Sequence, residues 1–454
     1  MRTPSLKSLA AGMLCAGLLV PASSAFSMGL IEAYNLALQN DPAYQSAIHD
    51  HDGSAENREL ARSNLRPQLA LNYSGSRNFA TTSQPNPNPP YTGKLDTYPH
   101  YVSSTSTLNF SQPIIAFDNY ARYKEGMAQA DYGDAQFSSR QQDLLMRLLS
   151  AYVDALFAYD NLHLVTSQRD TLLEQKQVND RMFKEGEGTK TDMLETQAKL
   201  DLAEAQLIEA RDGHATNFQA LEAIVGAEIK SVDGLVDGFE PKPLQPADFE
   251  SWRAIALEHS PDIAAARVAV EVAKDEVAKN RAGHMPHMDF VASVGKDNAS
   301  SINTYTEDST VRSYGIQLQV PLYAGGSVSA LTRQASAAYE KAKSDLDDKT
   351  NQLMLDMHKQ HYAVLSSIAK IAALEKSVES AKLLVTATKQ SIKGGVRINL
   401  DLLNAEQQQY VAQRDLAQAR YTYMVADLRL RADAGVLGAE DLRVVAANFS
   451  AAQR

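Results

Sequence analysis

The chain contains one turn motif twice, and this repeat constrains its fold more than any other feature. Residues 184–195 and 393–404 both contain a basic residue, a glycine-rich turn, and an aspartate followed by two apolar residues. Aligning Asp192 with Asp401 gives a shift of 209 residues. Other pairs match at shifts between 208 and 219 residues, namely Pro42 with Pro261, Pro113 with Pro321, and Gly226 with Gly435. Two copies of one structural unit explain these matches.

The chain begins with the pattern of an export signal. A positively charged start is followed by an apolar run at 9–20 and by a small-residue site that ends at Ala25. This pattern predicts a cleaved signal peptide at 1–25. Cys15 is the only cysteine and lies inside it, so the mature chain would have no disulfide. The remaining chain divides into a first repeat at 26–231, a Gly/Pro-rich connector at 232–248, a second repeat at 249–435 and a C-terminal tail at 436–454.

Each copy has the same predicted order: a helix, a β-hairpin, a very long helix and a returning helix. The first helices are expected at 29–63 and 249–282, the strands at 68–79, 101–112, 287–296 and 310–320, and the long helices at 119–184 and 327–393. Pro113 and Pro321 are expected to end the second strand of each hairpin, because proline cannot donate a ladder hydrogen bond. At 1.5 Å per residue, each long helix would be a rod of roughly 100 Å.

The predicted strands alternate between apolar and polar residues, as in Tyr314, Ile316, Leu318 and Val320. If the apolar side faces lipid, four strands are too few, because an open sheet would leave backbone groups unpaired in the membrane. Membrane barrels need about eight strands or more, so several chains would have to pool their strands. The alternative is a soluble periplasmic coiled-coil scaffold or adaptor with two ordinary hairpins, and the strands alone leave both hypotheses open.

The sequence contains few residues that could form a catalytic, metal or cofactor site. His358 and His361 lie one helical turn apart, but a zinc site needs further ligands, so a polar helix face is the preferred interpretation. The chain has no phosphate-binding glycine loop and no nucleophile elbow, which predicts that it is not an enzyme and binds no cofactor. A formal net charge of −11 argues against a nucleic-acid partner.

The most specific stretches are 395–404 with 417–424, and their first-half counterpart 186–197. Together with the duplicated unit, they resemble the TolC-like outer-membrane efflux and secretion proteins over essentially the whole mature chain. The resemblance implies an α+β membrane protein, a homotrimer whose twelve-stranded β-barrel continues into an α-helical periplasmic tunnel. It also implies an exit duct in the outer membrane, with outer-membrane lipid around it. Its partners would be a periplasmic adaptor protein and an inner-membrane transporter, expected to be of the ABC type. The cargo would be proteins, by type I secretion, or small molecules.

The resemblance also assigns roles at the two turns. Acidic residues that narrow the tunnel entrance fall on Asp401 and Asn404, and the asparagine predicts a weaker negative ring. Arg397 and Asp192 occupy the positions that tie the tips shut, whereas Ile392 replaces a tyrosine of that network. The adaptor-docking tips fall on Gly186, Gly188, Gly394 and Gly395.

A simpler reading of the aspartates also stands. Asp192 and Asp401 each lie in the first turn of a helix, where the helix dipole favours a carboxylate. Thr189 with Asp192 resembles a capping box. A structural role and a gating role are compatible with each other.

Overall fold

The duplicated unit is present in the structure as two long helical hairpins joined to one β-sheet. A computed structural model of the chain describes residues 28–85, 93–236, 238–299 and 307–450. The predicted signal peptide at 1–25 lies outside these residues. The first copy consists of α1 (Leu30–Asn40), α2 (Pro42–Ala55), α3 (Asn57–Ser63), β1 (Gln68–Phe79), β2 (Thr82–Pro85), β3 (Lys94–Thr97), β4 (His100–Ala116), α4 (Phe117–Glu185) and α5 (Lys190–Val225).

The second copy follows the same overall plan, with two helices instead of three before its strands and no counterpart of β2 and β3 among the described residues, and further elements lie in the connector and at the C-terminus. It consists of β5 (Gly234–Leu235), α6 (Phe249–His259), α7 (Pro261–Ala282), β6 (His287–Ala299), β7 (Glu307–Gln319), α8 (Ser327–Lys393), α9 (Asn399–Asp433), α10 (Ala439–Ala446) and β8 (Phe449–Ser450). The segment predicted only as a tail is therefore partly ordered, because β8 pairs with β5 of the connector.

The single helices predicted at 29–63 and 249–282 are wrong, because both segments are broken at equivalent points. Pro42 and Pro261 each occupy the first turn of a new helix, where the missing N–H of proline costs nothing. Asp41 caps α2, its side chain accepting a hydrogen bond of 2.8 Å from the Tyr44 backbone N–H. A proline inside a continuous helix would clash with the preceding turn, so the chain bends at both places.

The sheet has the strand order β1-β4-β6-β7 and is antiparallel throughout. Pro113 does not end its strand as predicted, because β4 continues to Ala116 after a register shift between Pro113 and Ile115. Pro321 does follow the end of β7. Beyond β1, the chain forms β2, which pairs with β3 in a separate small hairpin.

The sheet has one apolar and one polar face. The register places Leu71 opposite Leu108, Leu108 opposite Val294, and Phe110 opposite both Leu69 and Ala292. The apolar face also contains the exposed side chains Tyr73, Tyr314, Ile316 and Leu318. Neighbouring positions on each strand point to the opposite face, which is mostly polar, as at Asn72, Ser111, Ser293 and Gln317. In the described residues neither β1 nor β7 has a second strand partner.

The two long helices follow directly below the sheet. α4 has 69 residues and α8 has 67, so each extends roughly 100 Å. α4 packs along α5, α8 packs along α9, and α7 lies against both α4 and α8. We call α4 with α5 the first hairpin and α8 with α9 the second hairpin. The short helices α2 and α3 pack closely on α4, where a Cβ added at Gly133 would lie 2.4 Å from the Ser54 Cβ.

The main hydrophobic core lies around the middle of the long helices. Trp252 and Tyr152 are its largest fully buried side chains. The Trp252 indole N–H donates to the Pro246 carbonyl at 2.8 Å, and the Tyr152 hydroxyl donates to the Met28 carbonyl at 2.9 Å. These bonds fix the connector and the start of the first repeat to the helices. Far less apolar surface is buried nearer the tips.

Candidate functional site: the helical tips and the seam between the hairpins

The two repeated turns form the ends of the hairpins and have the same backbone structure. Gly186 and Gly395 adopt φ of 83° and 70°, which favours glycine because it has no Cβ. The Glu187 N–H donates to the Met182 carbonyl, and the Val396 N–H donates to the Ser391 carbonyl, both at 2.9 Å. This six-to-one hydrogen bond marks a Schellman motif at the end of each long helix.

The other two tip glycines differ in their roles. Gly394 has φ of −85°, so Gly395 rather than Gly394 is the counterpart of Gly186. Gly188 is needed for space, because an added Cβ would lie 3.1 Å from the Met182 Cβ and 3.1 Å from the Phe183 nitrogen. Turn geometry thus explains Gly186, Gly188 and Gly395, whereas an added Cβ at Gly394 would meet only ordinary contacts of 3.6 Å or more. At the second tip, Val396 and Ile398 are exposed apolar side chains.

The predicted capping box is confirmed at the first tip. The Thr189 hydroxyl accepts from the Asp192 N–H at 3.1 Å, and the Asp192 carboxylate accepts from the Thr189 N–H at 3.4 Å and from its hydroxyl at 2.6 Å. The second tip has no such cap, because Ile398 stands at the N-cap of α9 and makes no side-chain hydrogen bond there. The two copies therefore begin their returning helices differently.

Of the four residues assigned to the gate, three lie at the second tip and Asp192 lies at the first. Arg397 is exposed in the turn, Asp401 is half-buried in the first turn of α9, and Asn404 is exposed one turn later. Ile392 is half-buried and packs on a small cluster formed by Val385, Leu402 and Ala405. The isoleucine at this position thus contributes an apolar contact.

A row of polar contacts connects the first hairpin to α9, and the sequence did not predict it. The Asn399 amide donates to the Thr196 hydroxyl at 3.1 Å, the Gln175 amide donates to the Glu406 carboxylate at 2.7 Å, and the Gln168 amide donates to Gln407 at 2.8 Å. We call these three contacts the inter-hairpin seam. A cavity of about 200 Å³ lies beside it, lined by side chains from all four long helices.

Thr196 and Glu406 each make a further contact besides the seam itself. Thr196 is completely buried and also accepts from the Asn179 amide at 2.8 Å. The Glu406 side chain is 14% exposed and forms an ion pair of 2.9 Å with the Lys389 ammonium. The available sequence signal was a polar residue on an otherwise apolar heptad stripe, since Thr196 continues the buried series Leu200, Ala203, Leu207 and Ala210.

The two histidines that were considered as metal ligands make other contacts. The imidazole of His358 stacks on Phe249 with 3.6 Å between ring centroids, and His361 lies 3.1 Å from the Ala247 carbonyl. Across residues 28–85, 93–236, 238–299 and 307–450, no group of three or more His, Cys, Asp or Glu is placed to hold a metal ion. Over the same residues, no helix combines the length and the apolarity needed to cross a membrane.

Comparison with known proteins identifies the family. The profile of the family described as outer membrane efflux protein matches residues 33–227 and 252–436, one segment in each copy. The chain is 43% identical over 447 residues to the alkaline protease secretion protein AprF of Pseudomonas aeruginosa, covering 98% of this chain and 92% of that protein. It is 36% identical over 432 residues to the proteases secretion protein PrtF of Dickeya chrysanthemi, covering 94% and 93%.

The fold agrees with this assignment. The crystal structure of the CmeC outer membrane channel of Campylobacter jejuni superposes with a TM-score of 0.78 at 16% identity, covering 98% of each chain. Sheet, long hairpins and tips thus occur together in a known channel architecture. The chain belongs to the outer membrane efflux protein family and is an outer-membrane channel protein whose helical part extends into the periplasm.

Proposed function

We propose that three copies of this chain form the exit duct of a tripartite system for type I protein secretion. The observation that carries this proposal is the four-stranded sheet, which is apolar on one face and unpaired at both described edges. Lipid cannot satisfy an open sheet edge, so β1 of one copy would pair with β7 of the next. Three copies would close twelve strands, a size that occurs among membrane barrels. The scaffold alternative leaves the apolar face without a role.

Protein is the cargo that we propose, in preference to small molecules. Both AprF and PrtF are described as protease secretion proteins, and they resemble this chain over nearly its full length. No catalytic or nucleotide-binding motif suggests an energy source in this chain, so the driving force would come from a partner. We infer an inner-membrane transporter of the ABC type, joined to the duct by a periplasmic adaptor.

The tips are the surfaces that we propose for adaptor docking. They are the ends of the helical part farthest from the sheet, and their turns place Val396 and Ile398 in solvent, 81% and 63% exposed. The glycines Gly186, Gly188, Gly394 and Gly395 would act by shaping this surface, because they contribute no side chain of their own. Exposed apolar side chains on a polar background are typical of a docking site.

Asp401 and Arg397 are the central residues of the proposed gate. Three half-buried Asp401 carboxylates around an axis would form a negative ring that favours cations, and Asn404 would add polarity without charge. The exposed Arg397 guanidinium would pair with Asp192 of a neighbouring copy, whose carboxylate is already held by its capping box.

Planar-bilayer recordings test the duct, together with the mass of the detergent-extracted oligomer. The proposal predicts a trimer with small, cation-selective conductance steps. Arg397→Ser should raise the single-channel conductance, and Asp401→Ala should weaken the cation preference. A monomer without conductance would contradict the duct, and unchanged behaviour of both variants would remove these residues from the gate.

Complementation tests the cargo. This chain would be expressed in a P. aeruginosa strain that lacks AprF, and extracellular protease activity would be measured beside susceptibility to toxic small molecules. Restored protease secretion is expected. A gain in resistance without secretion would instead assign the duct to efflux.

A further inference from the structure

The two copies of the repeat meet directly below the sheet, where charged side chains join them. α4, in the first copy, presents Asp118 and Glu125 toward the second copy. The Glu125 carboxylate is bound by the Lys279 ammonium of α7 at 2.9 Å, and the Asp118 carboxylate contacts the ring of His287, the first residue of β6. These two contacts are about 10 Å apart along α4, at the level where the sheet continues into the helical part.

The contact of His287 is unusual because both ring nitrogens are used. Nδ1 lies 3.1 Å from the Asp118 carboxylate, and Nε2 lies 2.9 Å from the Asp289 carboxylate. A carboxylate can only accept a hydrogen bond, and a neutral imidazole has a single N–H, so the neutral ring can donate to one of its two partners. The imidazolium has two N–H groups and can donate to both. The arrangement is therefore complete only when the ring is protonated.

Loss of that proton would leave one carboxylate without its donor. The side chains of His287, Asp118 and Asp289 are 28%, 34% and 20% exposed, so water can replace the lost donor only in part. The two carboxylates would also face each other's negative charge with no positive charge between them. The contact between β6 and α4 is therefore weaker with a neutral ring than with a charged one.

The other groups around the ring do not replace its charge. On the neighbouring elements these are Ala116 of β4, Gln319 of β7, Arg122 of α4 and Lys279 of α7. The first two lie opposite His287 and are uncharged. Arg122 is exposed, and Lys279 is already bound by Glu125 and Glu276. The charge of the ring itself thus decides how strongly this contact holds.

The ring lies on the polar face of the sheet. Asp289 is opposite Gln317 of β7, and His287 shares the face of Asp289 because alternate residues of a strand point the same way. In the proposed duct this face lines the lumen. The ring would therefore exchange protons with the water inside the duct.

We propose that His287 is a proton-dependent clamp, which fixes the sheet to the first hairpin when its ring is charged and releases this contact as the lumen becomes alkaline. The Lys279 ammonium keeps its charge over the same range, so only the end of the α4–α7 contact nearest the sheet loosens. This inference rests on the proposed function for the position of the ring in the lumen. It goes beyond that function because it makes the junction between sheet and helices responsive to pH.

Hydrogen exchange of the full-length, detergent-extracted oligomer tests the clamp. Backbone amides at 117–125 and 287–292 are followed at about pH 5.5 and about pH 8.5, on either side of the ordinary histidine pKa of about 6.5. Protection factors are compared, because they correct for the pH dependence of exchange in an unfolded chain. His284→Gln is the matched control, since it removes an exposed histidine three residues away.

Three variants give different pH profiles. His287→Gln has no charge to lose, so its protection should be low at both pH values. His287→Lys keeps its charge, so its protection should stay high at both. In Asp118→Asn the new amide can donate to the ring nitrogen that a neutral imidazole leaves free, so protection should persist at the higher pH.

The wild type and His284→Gln should lose protection on the order of tenfold between the two pH values, because a hydrogen bond to a charged group is lost. Equal protection of the wild type at both values would overturn the inference. The same loss in His287→Gln or in Asp118→Asn would also overturn it, because the responding group would then be another one. If His287→Lys does not assemble, Asp118→Asn alone supplies the variant that retains protection. Exchange does not require a channel, so a wild-type protein without conductance would count against the proposed function alone.

Discussion

Replacing Thr196 by valine should lower the free energy of local opening near the tip, and the size of this loss can be estimated from the hydrogen bonds of its hydroxyl. Valine has nearly the same shape, so the substitution removes the hydroxyl without opening a cavity. That hydroxyl accepts from the Asn179 and Asn399 amides at 2.8 and 3.1 Å, and donates to the Asp192 carbonyl at 2.8 Å. Each half-buried amide left without its acceptor costs about 1 kcal/mol, which gives about 2 kcal/mol for the pair.

Hydrogen exchange is the appropriate assay, because a local loss need not change global unfolding. A loss of about 2 kcal/mol corresponds to roughly thirtyfold faster exchange, and we expect this in the first turns of α5 and α9. Thr216→Val is the matched control on the same helix. Thr216 is exposed, and within the described part of the chain its hydroxyl bonds only to the Asp212 carbonyl, at 2.9 Å, so it shares the bond to the preceding turn but not the two amides. Equal exchange in both variants would refute the assigned role of Thr196.

Three further predictions follow from local structure. Gly133→Ala should lower the melting temperature, because its Cβ would lie 2.4 Å from the Ser54 Cβ, whereas Gly213→Ala, with open space around it, should stabilise α5 by up to about 1 kcal/mol. Burial raises the pKa of Asp433 to about 6, so the folded protein holds this proton more tightly than the unfolded chain does. The stabilisation from this proton is complete below about pH 4 and is lost as the pH rises through about 6. Because about half of this stabilisation is already lost at pH 5, melting at pH 5 and pH 8 should show that the stability of Asp433→Asn relative to the wild type rises by about 1.4 kcal/mol between the two pH values. Thr189→Ala should cost about 1 kcal/mol and speed exchange in the first turn of α5, and unchanged exchange would contradict the capping box.

The sequence predicted the repeated architecture because its marks are local. Glycine adopts the positive φ found at Gly186 and Gly395 with little strain, whereas other residues do not. A glycine in the sequence therefore marks the end of each long helix. Gly226 and Gly435 end the returning helices with φ of 72° and 75° and mark the duplication again. The alternation of apolar and polar residues along β7 likewise predicted the apolar face of the sheet. This pattern can be recognised within a single strand, without knowledge of its neighbours.

The errors arose where a local rule has two outcomes. Proline breaks a helix interior but is favoured in a first turn, so Pro42 and Pro261 mark new helices rather than irregularities inside long ones. Proline also ends many strands, yet at Pro113 a register shift lets β4 continue to Ala116. Whether the helix or strand ends or continues at such a proline depends on the helices and strands that pack against it. A single sequence does not show which elements those are.

The inter-hairpin seam was missed for another reason. Gln168, Gln175, Glu406 and Gln407 are ordinary residues for the surface of a long helix, and their partners are more than 200 positions away in the chain. Only the packing of α9 against α4 turns them into a buried polar row. Their position on the inner side of the heptad stripe was the available sign, but polar residues on such stripes also serve to fix register or to face solvent.

The seam also explains why the duplicated tips need not behave alike. Both long helices end in the same Schellman motif, but α5 begins with a reciprocal capping box whereas α9 begins at Ile398, which offers no side-chain acceptor. Besides the packing of Leu402 and Ala405 on Val385 of α8, the start of α9 is held by the side-chain hydrogen bonds of Asn399 with Thr196 and of Glu406 with Gln175. Both are made to the first hairpin. The copy that carries Asp401 is thus the one whose first side-chain hydrogen bonds cross to the other hairpin, whereas the start of α5 is capped within its own turn.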